Sequence, residues 1–184
     1  VTTARLFWSA QVNSGVLPVD AEASSSAADS FDFARFASIA SVAVSDGGRQ
    51  HVALSDGFRR IRIDVESGSV LQGPVRFHYR LSGLRELEGK LLALRRLAAL
   101  CRLGRFARSL HPPEPRAPRW IEMLRAHDAS AAGASQREIA EALFGERAAR
   151  DEWRTGSDSL RLRIQRLVRS TRIMIAGGYL RLLP

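Results

Sequence analysis

The residues best equipped to do chemistry in this chain are arginines, five of which fall between residues 158 and 176, at Arg161, Arg163, Arg166, Arg169 and Arg172. The single acid of that stretch, Asp158, stands at its leading end. Placed at 100° per residue, Leu160, Ile164, Leu167, Val168, Thr171 and Ile175 share a sector of about 100°. Gln165, Arg166, Arg169 and Arg172 gather opposite them, with Arg161 and Arg163 flanking and Ser159 and Leu162 at the leading end. A guanidinium is planar and forks onto phosphate oxygens or a guanine edge. No carboxylate lies one helical turn from Arg166, Arg169 or Arg172, so their mutual repulsion is tolerable mainly when a polyanion arrives. The competing reading is a solvated face, or one paired with Glu138, Glu141, Asp151 and Glu152 of neighbouring segments.

Other chemistry finds little support. The four histidines, His51, His78, His111 and His127, are scattered without metal-like spacing, and one cysteine cannot build a sulfur-rich zinc site or a disulfide framework. Cys101 sits in a Leu and Ala run and is expected to be a buried, inert thiol. No nucleophile–base pair is visible. Glycines fall in Asp-Gly turns or at helix ends, so no phosphate-cradling loop is implied. Tyr179 follows many arginines, yet the histidine and arginine spacing of a tyrosine recombinase is missing. The expectation is a chain that is not an enzyme, with no catalytic residue, no metal and no cofactor.

The elements that would position the arginines begin at Ser135-Gln136-Arg137-Glu138, a capping box in which serine and glutamate satisfy each other's free amides. Ile139, Ala140 and Leu143 then make a buried stripe, Ala140 small enough for another helix to cross closely, and Gly145 can end the helix. Arg137, in the first turn, is grouped with the candidate DNA-contacting residues. This reads as the first helix of a helix-turn-helix. Twelve residues separate Gly145 from Asp158, whereas the standard turn takes three or four. An elongated turn is expected, with Ala148, Ala149 and Trp153 in a short helical element and Thr155-Gly156-Ser157 recapping the chain.

Upstream, residues 119–130 are expected to form a helix with Trp120, Ile121 and Leu124 inward. Pro112, Pro113, Pro115 and Pro118 make residues 111–118 a stiff connector. Before it, Leu84, Leu87, Leu91, Leu94, Leu97 and Leu103 mark a long amphipathic helix. Earlier still, short apolar runs alternate with Asp46-Gly47-Gly48, Asp56-Gly57 and Ser67-Gly68, the pattern of an antiparallel meander. In FRRIRIDV, Ile61, Ile63 and Val65 face one way and Arg60, Arg62 and Asp64 the other. A strand-like run at residues 4–12 leaves room for an upstream segment, and AEASSSAADS at 21–30 reads as a flexible loop. The fold class is α+β: a meander, a long central helix and a C-terminal helical bundle. Expected domains are 1–30 (first strand and loop), 31–110 (sheet and long helix), 111–118 (connector) and 119–184 (helix-turn-helix).

The net charge of +9 is uneven. Residues 1–75 carry six arginines against eight acids, and the rest carries 22 basic residues against 11 acids. Only Lys90 among the 28 basic residues is lysine, which a GC-rich genome explains, but such a genome does not explain why the charge is localised. The footprint points to double-stranded DNA. The apolar stretches are interrupted by arginines and no signal peptide is recognisable, so a cytoplasmic protein acting at the nucleoid, without membrane association, is expected. A homo-oligomer is expected from the affinity gained on two half-sites and from the open edges of a small sheet.

The runs GPVRFHYRLSG, ELEGKLLALRRLAALCRLGRF, APRWIEMLRAHDASAAGASQREIAEALFG and DEWRTGSDSLRLRIQRLVRSTRIMIAGGY resemble the RovC-like transcription-factor DNA-binding domain of proteobacteria, over roughly residues 39–183. The resemblance implies a transcriptional regulator with an extended-turn helix-turn-helix, associated with mobile conjugative elements and secretion loci. Some relatives oppose activation through a less basic domain that binds protein; the alternative function is therefore an antiactivator-type interaction module. Relatives also carry a small N-terminal domain that contacts this region, so a partner protein of that type is a further expectation.

Overall fold

The computed structural model describes residues 10, 13–26, 29–84, 86–147 and 158–182, the side chains of Asp158 and Ser159 excepted. Two compact units emerge, one within Val1–Pro112 and the other Pro113–Leu182. The fold is α+β, a five-stranded sheet followed by helices.

Three strands follow the hairpin pattern: β2 (Ala40–Val44), β3 (Gln50–Ser55) and β4 (Arg60–Ser67) pair antiparallel in sequence. Asp56 makes the second hairpin tight, its Oδ1 accepting from the amides of Phe58 (3.0 Å) and Arg59 (2.7 Å). The meander stops there. Strand β1 (Val16–Ala23) lies parallel to β4 and antiparallel to β5 (Val75–Tyr79), giving the order β2-β3-β4-β1-β5. The sheet is thus mixed, and β1 covers Ala21–Ala23, the beginning of the segment expected to be loop. Most of the strand-like run at 4–12 lies outside the described residues. Gly68, at the end of β4, has φ +79, and a Cβ there would strike the Ala21 carbonyl. The β1–β4 pairing therefore requires glycine.

Helix α1 (Leu87–Leu103) covers one face of the sheet, and Ala93, Leu97 and Leu100 join Leu17, Val19, Val52, Leu54, Ile61, Ile63, Val65, Phe31, Phe36 and Phe106 in the core. Its inward stripe differs from the leucine pattern. Leu84, Leu91 and Leu103 are exposed, while Lys90 is buried and paired with Glu86 at 3.1 Å. Gly89 explains the close approach, because a Cβ there would meet Ser14 Oγ. Cys101 is half-buried, and burial pushes its thiol up. The opposite face of β4 is not simply solvated: Asp64 is buried, accepting from the Ala10 amide at 3.0 Å and standing 2.8 Å from His51 Nδ1.

The second unit holds α2 (Ala117–Ala131), α3 (Gln136–Phe144) and α4 (Asp158–Ile175). Helix α2 starts inside the expected connector, with Pro118 in its first turn, where a missing amide costs nothing. It turns Met123 and Ala126 inward with Trp120 partly buried, and leaves Ile121 and Leu124 exposed, contrary to the expected face. These meet Ile139 and Ala140 of α3 and Leu160, Ile164 and Leu167 of α4 in one core.

A candidate nucleic-acid interface on helix α4

Helix α3 is set by the capping box: the Glu138 amide donates to Ser135 Oγ at 3.3 Å and the Ser135 amide to Glu138 Oε2 at 2.7 Å. The amide bond from Ser135, aided by its side chain, holds the Glu138 carboxyl below the usual carboxylate range. The helix ends at Gly145, whose amide donates to the Glu141 carbonyl. Ile139 and Ala140 are buried, so the short helix is pinned by its cap and by two core contacts.

Helix α4 is eighteen residues long, about 27 Å at 1.5 Å per residue. Leu160, Ile164, Leu167 and Thr171 are buried, spaced to keep one face inward. Thr171 completes the anchoring through its hydroxyl, which donates to the Leu167 carbonyl at 2.8 Å or that of Met123 at 3.3 Å. At the last turn the inward position passes to Met174; Ile175, expected inward, is 45% exposed.

The anchored face leaves Arg161, Leu162, Arg163, Gln165, Arg166, Arg169 and Arg172 exposed together. Among the described residues none of these five arginines makes an ion pair. Glu141 is engaged by Arg137 at 3.0 Å and Glu138 is used in the cap, so two of the carboxylates that might have neutralised α4 are committed elsewhere. Asp151 and Glu152 lie outside the described residues, as do the expected short element at Ala148, Ala149 and Trp153, the Thr155-Gly156-Ser157 break, and the side chain of Ser159. The expected elongated turn therefore lies largely outside the described residues.

The charge of the helical unit is concentrated on this helix. Residues 113–182 contain thirteen arginines and nine acids, and α4 alone holds five of those arginines and one acid. The unit's net +4 is the charge of α4, and the remainder is balanced.

The arginines are not equivalent. Arg163 lies over the Phe144 ring at 4.3 Å and so also ties the end of α3 to α4. Arg166 Nε donates to the Leu162 carbonyl at 3.2 Å, which draws it along its own helix. Arg169 and Arg172 line an open groove with Gln136, Gln165, Val168 and Ile173. Gln136 was not among the expected site residues. Its amide oxygen stands 3.5 Å from Gln165 Nε2, so the start of α3 and the middle of α4 present adjacent amides. Its place next to the Ser135 cap was the available signal. Arg137, by contrast, is partly neutralised by Glu141.

Among the described residues no group of three or more His, Cys, Asp or Glu could hold a metal, and no helix is long and apolar enough to cross a membrane. No curated protein matches the chain. The family model RovC_DNA-bd, described as "T6SS, Transcription factor, DNA binding domain", matches residues 80–184. The match takes in α1 and the whole helical unit but begins after β5, so the likeness read from residue 39 is carried only from residue 80. With more than half of its residues matched, the chain belongs to this family of transcription-factor DNA-binding domains.

Proposed function

We propose that the chain is a sequence-specific regulator that reads duplex DNA with α4, supported by α3, in a helix-turn-helix with an elongated turn. The observation that carries the reading is that the net charge of the helical unit resides on one helix whose arginines face away from the core and make no ion pair among the described residues. A helix 10–12 Å across fits the roughly 12 Å major groove. Arg169, Arg172, Gln165 and Gln136 supply donors suited to base edges and phosphates, and Leu162 an apolar contact of the kind a thymine methyl accepts. Arg161, Arg163 and Arg137 flank them. The T6SS description of the family supports secretion loci among the regulated genes. The outer strands β2 and β5 support pairing of two copies of the chain.

The test is a salt-titrated binding measurement on duplexes from the region upstream of the protein's own gene. The variant Arg166→Ala/Arg169→Ala is expected to lose the footprint. Each lost phosphate contact lowers the slope of log K against log salt by about 0.9, and each lost base contact costs ~1–3 kcal/mol at one position of the site. A double variant that binds like the parent removes α4 from the interface. Parent protein that ignores DNA but binds a related regulator establishes the antiactivator-type module instead.

A further inference from the structure

A larger net charge than that of α4 lies upstream of it. Residues 76–112 hold nine basic residues and two acids, a net +7. Several of these cations are accounted for inside the first unit: Arg76 pairs with Asp29 at 3.2 Å, Arg80 with Asp20 at 2.6 Å, and Lys90 with Glu86 at 3.1 Å. Arg96 is half-buried and donates through Nε to the Leu110 carbonyl at 2.8 Å. Arg85 lies outside the described residues. What remains is Arg95, Arg102, Arg105 and Arg108, all exposed and none with a side-chain ion pair or hydrogen bond among the described residues.

These four are carried by a rigid corner. Arg95 and Arg102 are seven residues apart, two turns along one face of α1, with the small Ala98 exposed between them. Gly104 ends the helix at φ +67, its amide donating to the Leu100 carbonyl at 2.8 Å. Phe106 then enters the core, and the Arg96–Leu110 bond holds the turn Arg108–Leu110 against α1. The backbone carrying Arg105 and Arg108 is thereby fixed on both sides. A cation in the last turn of a helix offsets the partial negative charge there, which accounts for Arg102 but not for Arg95, Arg105 or Arg108.

We infer that the α1 corner, Arg95, Arg102, Arg105 and Arg108, is a second DNA-binding surface that grips the phosphate backbone without reading sequence. The inference rests on the DNA-binding reading of the chain, but on different residues, in a different unit, from the α4 interface. Phosphate suits it because the cluster offers four guanidinium forks around Ala98, Gly104 and the exposed Leu103, and because residues 89–113 contain no carboxylate. An acidic protein surface is the other polyanion the test must separate.

The experiment uses the full chain, as parent, as the quadruple variant Arg95→Ala/Arg102→Ala/Arg105→Ala/Arg108→Ala, as the matching quadruple Arg→Lys variant, and as Arg166→Ala/Arg169→Ala. Each is titrated by fluorescence anisotropy against a 30-base-pair duplex of arbitrary sequence, across salt concentrations, and against polyglutamate. The alanine variant is expected to bind duplex more weakly and with the salt slope lowered by about 2 to 4, since each phosphate contact contributes about 0.9. The lysine variant should restore most of the slope, because charge survives the change while misfolding would not be repaired by it. The Arg166→Ala/Arg169→Ala protein should keep the part of the slope that the α1 corner supplies. An unchanged slope in the alanine variant overturns the inference. Loss of polyglutamate binding without any loss of duplex binding overturns it in favour of an acidic protein partner. If the α1 variant weakens binding while the α4 variant binds like the parent, the α4 reading fails and the α1 surface stands.

Discussion

His111 is held neutral by its surroundings. Its Nε2 is buried without a partner among the described residues, while Nδ1 lies 3.1 Å from the Ala107 carbonyl and therefore carries the proton. The ring meets Phe106 edge-on at 5.6 Å. Burial pushes the imidazole below its usual value; the Arg96 and Arg59 charges add to this, and the Ala107 carbonyl and Asp56 oppose it. As pH falls the unfolded chain takes up the proton first, so the stability contributed by the neutral ring is present above the ordinary imidazole value, about 6.5, and is lost as pH drops through the lower folded one. Near-ultraviolet melts should show the midpoint of the sheet unit falling over that interval. In His111→Phe the fall should be shallower, and an identical pH profile would show that the ring does not titrate this way. The arginines of α4 stand at the same scale but were legible beforehand, since charge and 100° geometry are local properties. Gln136 was not, because its value comes from standing beside Gln165 across a gap of 29 residues in the chain.

At the scale of elements, α3 is the piece most fully written into its own sequence. Its cap is made by residues three apart, and such contacts need nothing from the rest of the fold. Ser135→Ala should therefore cost about 1 kcal/mol in the helical unit, measured by chemical denaturation, and Ser135→Asp should recover most of it. Equal loss in both variants would mean that the hydroxyl does something other than cap. The inward faces of α1 and α2 were less legible. Both helices were expected from spacing, but Leu91 and Leu103 of α1 and Ile121 and Leu124 of α2 are exposed, while Lys90, Ala93, Met123 and Ala126 are buried. A leucine-rich helix offers more than one apolar stripe, and the partner surface selects among them. In α1 that selection turns on Gly89, whose missing side chain lets the helix sit against Ser14.

For the molecule as a whole, the two units keep separate cores with no residue in common. Ile164 is fully buried at the centre of the helical core, and Ile164→Ala should cost ~2–5 kcal/mol there. Hydrogen exchange should show amides of α2, α3 and α4 losing protection while those of β3 and β4 keep theirs; equal loss in both units would show that they unfold as one. The amino-acid sequence by itself determined the hairpins β2-β3-β4, the existence of α1 to α4, the Ser135 cap and the charged face of α4. Each depends on residues within a few positions of one another, where backbone preference and periodicity decide. Only the tertiary structure decided that β1 inserts between β4 and β5, parallel to β4, since strand order is a contest among distant segments that local pattern does not record. It alone decided which basic residues are left over. Arg76, Arg80, Lys90 and Arg96 look like Arg95, Arg102, Arg105 and Arg108 in the chain, and they differ because the fold brings a carboxylate or a carbonyl to the first group and leaves the second facing outward.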